Sequence, residues 1–191
     1  YVLAFAFGLV PKDLYNAYKK KLLSLLEKSG RCIGTGFLAT PFILDVLCDL
    51  GETETAHQIL WQEKRHYWYE VNHGATTIWE SWDADDAARG GRYVSFNHYA
   101  FGCVDDWICR HIAGIDSDTQ GYSHIVIRPD MDSHLSWCRR TFECEAGEIS
   151  VYWDKEKLSV SIPANTTATV YWNNQVYDVG SGSYEWTERS I

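Results

Sequence analysis

The amino-acid sequence predicts an α+β protein of two domains, a helical domain followed by an antiparallel β-sandwich. Up to about Gly114 the apolar residues recur at helical spacing, and after Ile115 their period changes to two. The composition, with 46% apolar and 23% charged residues, is typical of a globular protein. At about 150 residues per domain, the length corresponds to between one and two domains. We therefore predict domains at residues 1–115 and 116–191.

Three helices are predicted in the first third of the chain. The pattern from Leu14 to Leu26 is amphipathic, with start signals before it and Ser29-Gly30 as a stop. The segment from Thr40 to Leu50 is apolar nearly all round, which indicates a buried helix. The segment from Thr53 to about Lys64 is again amphipathic. This alternation favours helical hairpins stacked in two layers, as in an α/α toroid or a helical repeat array.

The helical period is interrupted between Gly74 and Ser95. This stretch mixes Gly, Thr, Trp and acidic residues, which is typical of a long irregular loop. Long loops inside a compact domain are usually functional or mobile. A fourth helix is predicted from about Phe96 to Ala113, where apolar residues return at helical spacing.

The last third of the chain reads as a β-sandwich. Alternating or β-branched runs occupy residues 124–127, 149–153, 158–162 and 168–172, with turn residues between several of them. Six or seven short antiparallel strands at this spacing are typical of a sandwich.

The charge balance excludes several classes of partner. The formal net charge is −9, and an acidic surface repels phosphate backbones and anionic membranes. We therefore expect neither a nucleic acid nor a membrane as partner. The sequence also lacks the run of about 18 apolar residues that a membrane-spanning helix requires.

The cysteines and histidines show no metal-ligand or redox spacing. A chain of this length buries a core without disulfides, so we predict that the six cysteines are reduced and that the protein is cytoplasmic. No metal ion or other cofactor is expected.

Chemistry-bearing residues concentrate in the interrupted stretch. Glu80 lies in sequence between Trp79 and Trp82, and a carboxylate beside indole rings is partly desolvated, which suits it to proton transfer. The alternative is that both tryptophans belong to the core and that Glu80 is a surface residue. His98, at the start of the predicted fourth helix, is either a ligand-binding group or a hydrogen-bonded structural residue.

Four motifs resemble the C-terminal third of bacterial α-L-rhamnosidases, glycoside hydrolase family 78. These are TGFLATP at 35–41, GATTIWESWD at 74–83, SFNHYAFG at 95–102 and IPANTTATV at 162–170. The resemblance implies the C-terminal part of an (α/α)₆ barrel followed by a β-sandwich domain. It also implies a rhamnose-containing glycoside as substrate.

The resemblance assigns roles to four residues. The family hydrolyses with inversion, using one carboxyl as general acid and another to activate water. By its place in its motif, Glu80 is similar to the family's general base, and His98 is similar to its rhamnose-binding histidine. Trp79 and Trp82 are expected to line or support the sugar pocket.

One part of the family's pattern is missing. The general acid and several sugar-binding residues lie on an upstream acidic motif that this sequence does not contain, and the chain opens at Tyr1. We therefore expect a fragment that is inactive alone, within a parent that hydrolyses α-L-rhamnosides. An incomplete barrel is also expected to expose inner-helix residues such as Phe42 and Leu44, and this seam would drive self-association.

Two further functions remain open. A non-catalytic carbohydrate-binding or interaction module would use the same aromatic residues without a pair of carboxylates. A helical-repeat interaction protein with a β tail fits the helical pattern, but the motifs at 74–98 argue against it.

Overall fold

The computed structural model of the chain describes residues 1–187. They form two compact units, which divide between Val104 and Asp105. The domain boundary placed between residues 115 and 116 falls within the second unit and stays a prediction. No helix in the described part of the chain combines the length and apolarity that a bilayer crossing requires.

The first unit is helical. Its helices are α1 (Val2–Ala6), α2 (Tyr15–Lys28), α3 (Thr40–Asp49), α4 (Thr53–Trp61), α5 (His66–Asn72) and α6 (Ala84–Arg89). The three helices predicted in the first third of the chain correspond to α2, α3 and α4 and are confirmed. Helix α3 buries most of its apolar side chains, as its all-round apolar sequence predicts.

The segment between α4 and the second unit differs from the prediction. Helix α5 was not predicted, and α6 lies within the stretch that was predicted to be an irregular loop. The predicted helix from Phe96 is wrong in its first half, because helical structure begins only at Val104. Residues 96–103 are held by non-helical contacts instead: the backbone N–H of His98 donates to the Ile78 carbonyl at 2.9 Å.

The expectation that Phe42 and Leu44 are exposed is also wrong. Leu44 is buried, and Phe42 is half-buried with its ring edge-to-face on Phe7 at 5.4 Å. These residues are covered because α1 and the residues that follow it pack against α3. Self-association stays a prediction, without these two residues as its surface.

A short helix, α7 (Val104–Trp107), starts at the last residue of the first unit and continues into a π-helical turn over Ile108–Ile112 of the second. Up to residue 187, where the description ends, eight strands follow rather than six or seven: β1 (Ile115–Ser117), β2 (His124–Ile127), β3 (Trp137–Cys144), β4 (Gly147–Asp154), β5 (Lys157–Ile162), β6 (Thr167–Trp172), β7 (Gln175–Val179) and β8 (Gly182–Thr187). They form two four-stranded sheets, ordered β1-β2-β6-β7 and β3-β4-β5-β8.

One strand pair departs from the predicted antiparallel arrangement. Strands β2 and β6 pair in parallel, with His124 opposite Thr167, whereas the other described pairs are antiparallel. The crossover connection that a parallel pair requires is supplied by β3, β4 and β5, which belong to the second sheet. Sequence alternation reports which face of a strand is buried, but it carries no information on strand direction.

The core of this unit follows the period-two pattern. Alternate residues of β2, β4, β5 and β6 are buried, so each sheet presents one apolar face. Trp153 on β4 is 1% exposed, and its indole Nε1–H donates to the Ile112 carbonyl at 2.7 Å. This bond satisfies the indole N–H inside an otherwise apolar core.

Candidate active site in the helical unit

Two adjoining depressions on the helical unit share Glu80. The first has a volume of about 390 Å³ and lies between residues 33–37 and residues 80–83. The second, about 540 Å³, extends from Phe37 and Glu80 to residues 92–94. We refer to the two together as the Glu80 cleft.

Glu80 presents an unengaged carboxylate to this cleft. The residue is half-buried, and its backbone N–H donates to the Ser95 carbonyl at 3.1 Å, which fixes the local course of the chain. Within residues 1–187, no side chain or backbone group donates a hydrogen bond to the carboxylate. Its oxygens are therefore available to a water molecule or a ligand hydroxyl, as a general base requires.

A second carboxyl group, Glu70 on α5, lies buried beneath this segment. It is 1% exposed, and its Oε2 accepts the backbone N–H of Trp79 at 3.0 Å. Burial raises the pKa of Glu70 to about 7; the Trp79 N–H acts in the opposite direction, and the charge of Asp85 adds a smaller increase. Oε1 has no hydrogen-bond partner among the described residues. Glu70 thus supports the residue that directly precedes Glu80.

The two tryptophans of the motif occupy different environments. Trp79 is 8% exposed, with its ring edge-to-face on Phe96 at 5.1 Å, so it packs beneath the cleft. Trp82 is half-buried and lines the cleft, and its Nε1–H donates to the Thr35 carbonyl at 3.0 Å. One face of Trp82 stacks on Phe101 at 3.9 Å, which fixes the plane of the indole.

His98 lies beside the cleft with one ring nitrogen engaged. Its Nδ1 accepts the backbone N–H of Ala100 at 3.3 Å, which assigns the neutral ring's proton to Nε2. The imidazole stacks on Phe37, a residue of both depressions, at 4.5 Å and an interplanar angle of 10°. His98 therefore offers an Nε2–H donor next to an aromatic wall of the cleft.

Asp83 is the other carboxylate that lines the cleft. The Ser81 hydroxyl donates to it and, as the largest effect, lowers its pKa; the charge of Arg92, 3.3 Å away, lowers it further. Asp83 is therefore a stable anion that is already engaged by its neighbours.

His66 on α5 connects the two walls of the cleft and was not found from the sequence. It is 0% exposed, with Nε2 at 3.0 Å from the Ile33 backbone nitrogen and its ring edge-to-face on Trp82, the ring centroids 4.7 Å apart. Burial lowers its pKa to about 4, so the ring is neutral. Its φ of 73° is unusual for a non-glycine residue and costs about 1–3 kcal/mol.

The structure thus brings Glu80, Trp82 and, through Phe37, His98 to one cleft, with Trp79 beneath it. Sequence reasoning missed Glu70 and His66, the two buried residues that support it. The available signal was their spacing of four in an aromatic segment, which places both on one face of a helix.

The chain matches two family models along almost its whole length. Residues 1–112 match the bacterial alpha-L-rhamnosidase 6 hairpin glycosidase domain, and residues 114–185 match the bacterial alpha-L-rhamnosidase C-terminal domain. An alpha-L-rhamnosidase of Streptomyces avermitilis is 35% identical over 98% of this chain, and one of Alteromonas sp. is 35% identical over 88%. The chain spans 21% and 19% of these two relatives, about a fifth of their length.

Solved structures of rhamnosidases show the same fold. The structure of the Streptomyces avermitilis alpha-L-rhamnosidase complexed with L-rhamnose has a TM-score of 0.88 at 34% identity, covering 98% of this chain and 21% of that one. An alpha-L-rhamnosidase from Aspergillus terreus has a TM-score of 0.88 at 29% identity, covering 100% of this chain and 24% of that one. These likenesses confirm the predicted fold class. The chain therefore belongs to the bacterial α-L-rhamnosidase family, of which it carries six-hairpin glycosidase helices and the C-terminal β-sandwich domain.

Proposed function

We propose that this chain supplies the general base, Glu80, of a rhamnosidase that hydrolyses α-L-rhamnosides with inversion. The observation that carries the proposal is that the Glu80 carboxylate lines a cleft without a hydrogen-bond donor from residues 1–187. In this role Glu80 accepts a proton from a water molecule whose oxygen attacks the anomeric carbon, while the bond to the leaving oxygen breaks and a general acid gives that oxygen a proton.

The neighbouring side chains support binding of one sugar ring. The His98 Nε2–H is oriented to donate to a sugar hydroxyl, since its Nδ1 is occupied by Ala100. Trp82 and Phe37 line the same cleft as Glu80 and contribute aromatic surface to it. Trp79 supports the pocket from below rather than contacting the sugar, because it is 8% exposed.

The general acid is proposed to come from outside the described residues. Asp83 is ionised and engaged by Ser81 and Arg92, and Glu70 is buried where no glycosidic oxygen reaches it. Neither suits an acid that must stand about 6.5–9.5 Å from the base across the scissile bond. We accordingly propose that residues 1–191 alone do not hydrolyse rhamnosides.

The test uses Glu80→Gln in the complete natural polypeptide that contains this chain. Hydrolysis of an aryl α-L-rhamnoside should fall about 10²–10⁴-fold in kcat, the usual range for losing a general base. Glu54→Gln, at an exposed position of helix α4, is the matched control and should retain full activity. A fall below tenfold for Glu80→Gln would sink the assignment.

A carbohydrate-binding module is the second candidate function. It is favoured by two exposed aromatic rings, Tyr93, which lines the cleft and is 96% exposed, and Tyr99, which is 88% exposed. Calorimetric titration of L-rhamnose and the hydrolysis assay together separate the two candidates. A base predicts that Glu80→Gln binds the sugar within a few-fold of the wild type, whereas a binding module predicts no hydrolysis by the complete polypeptide.

A further inference from the structure

Helix α5 places the carboxyl group of Glu70 next to the backbone of the segment that carries Glu80. Glu70 reaches across from α5 to the N–H of Trp79, one residue before Glu80. Its own backbone carbonyl accepts the N–H of Ala75 at 2.9 Å, so the turn between α5 and Trp79 is tied to Glu70 at both ends.

We propose that Glu70 is a positioning residue, whose carboxyl oxygen holds the Trp79 backbone so that the Glu80 carboxylate points into the cleft. The inference rests on the proposed role of Glu80. The next amide along the chain, the N–H of Glu80 itself, donates to the Ser95 carbonyl. The chain is therefore held at two successive amides, that of Trp79 by a side-chain oxygen and that of Glu80 by a backbone carbonyl.

The surroundings of Glu70 offer no ready substitute for its hydrogen bond to the Trp79 N–H. Glu70 is 1% exposed and has one unpartnered oxygen, so water does not replace a lost contact easily. The titratable groups that face it are Tyr67 on its own helix and Asp85 on α6, and neither supplies a positive charge. Asp85 is itself engaged by Tyr69 at 2.7 Å and by Arg89 at 3.1 Å.

Two substitutions of similar volume separate the acceptor from the charge. Glu70→Gln keeps an oxygen acceptor for the Trp79 N–H and removes the charge. Glu70→Met fills the same space with no acceptor and leaves that N–H unpaired in the interior. We expect Glu70→Gln to retain kcat within about threefold and Glu70→Met to lower it about tenfold to 100-fold, with a smaller change in KM.

Amide hydrogen exchange on the 191-residue chain gives a readout that does not need activity. Glu70→Met should raise the exchange rates of the Trp79 and Glu80 amides about tenfold or more, while amides of α3 keep theirs. Leu47→Ala, at a fully buried site on α3, is the control for a general loss of stability.

The outcomes distinguish the two proposals. Equal losses of kcat in Glu70→Met and Leu47→Ala, at equal losses in Tm, would reduce Glu70 to a structural residue. Unchanged exchange at Trp79 and Glu80 in Glu70→Met would overturn the contact itself. If Glu80→Gln keeps full activity, the assignment of the base fails, and the exchange of these amides still decides whether Glu70 holds the segment.

Discussion

The two units of this chain differ in the kind of contact that stabilises each one internally. The sandwich is organised by backbone ladders and by alternating apolar side chains such as Val151 and Trp153. The cleft of the helical unit is organised by single hydrogen bonds from side chains to distant backbone groups, made by Glu70, His66 and Trp82. Apolar burial is spread over many contacts, whereas each of these polar contacts depends on one atom pair.

This difference indicates that the ionisable groups that affect the cleft lie in the helical unit. The buried side chains that the sandwich contributes to its core are mainly apolar, and the shifted pKa values of Glu70 and His66 both belong to the helical unit. We therefore expect mutations in the sandwich to change stability without changing the pH response of the cleft.

The largest expected effect is in the sandwich core. Trp153→Ala should cost about 3–5 kcal/mol, because it removes a fully packed indole and leaves the Ile112 carbonyl without its donor. Trp82→Ala in the helical unit should cost less, since Trp82 is only half-buried. Urea unfolding followed by circular dichroism measures both, and a larger loss for Trp82→Ala would break the comparison.

A glycine substitution is expected to have the next largest effect. Gly114 has a φ of 79°, and an added Cβ would lie 2.2 Å from the backbone nitrogen of Pro129. Gly114→Ala should therefore cost about 2–4 kcal/mol from strain and overlap. Gly91, with a φ of 77° and open space around the added Cβ, is the matched control and should cost about 1 kcal/mol. If Gly114→Ala and Gly91→Ala lower the free energy of unfolding equally, the backbone at Pro129 moves to accommodate the added Cβ at little cost.

The smallest expected effect is a pH dependence carried by Glu70. Burial raises its pKa from 4.5 to about 7, so between these values the folded state binds more protons than the unfolded state. Its contribution to stability is therefore full below pH 4.5, decreases as the pH rises to about 7, and is constant above that. The loss amounts to about 1–3 kcal/mol, and Glu70→Gln should remove it.

Thermal unfolding at a series of pH values measures this contribution as the difference in Tm between Glu70→Gln and the wild type. The difference should grow in favour of Glu70→Gln from pH 5 to pH 7 and then stay level. A constant difference over this range would show that the pKa of Glu70 is not raised.

Periodicity predicted the elements whose burial is regular. The apolar face of β5 and the all-round apolar sequence of α3 are visible in any short window of the sequence. Glu80 and His98 were identified through motifs, because their residue types and context resemble a known family. The structure adds where their carboxylate and imidazole lie.

The supporting contacts could not be predicted because they join residues far apart in sequence. The bond from His98 N–H to Ile78 replaces the helix that the spacing after Phe96 indicated. Residue type alone would place Glu70 at the surface, and its burial depends on the tertiary packing of α5. Such exceptions to local rules are expected where a fold builds a site.

The parallel pairing of β2 with β6 sets the order in which this protein can be completed during synthesis. Strand β2 emerges from the ribosome well before β6, so His124 cannot pair with Thr167 until residue 167 has been synthesised. Until then β2 has β1 on one side and an unpaired edge on the other, which is a template for aggregation. Truncation or stalling before residue 167 would therefore leave the first sheet with only β1 and β2 and with the edge of β2 unpaired.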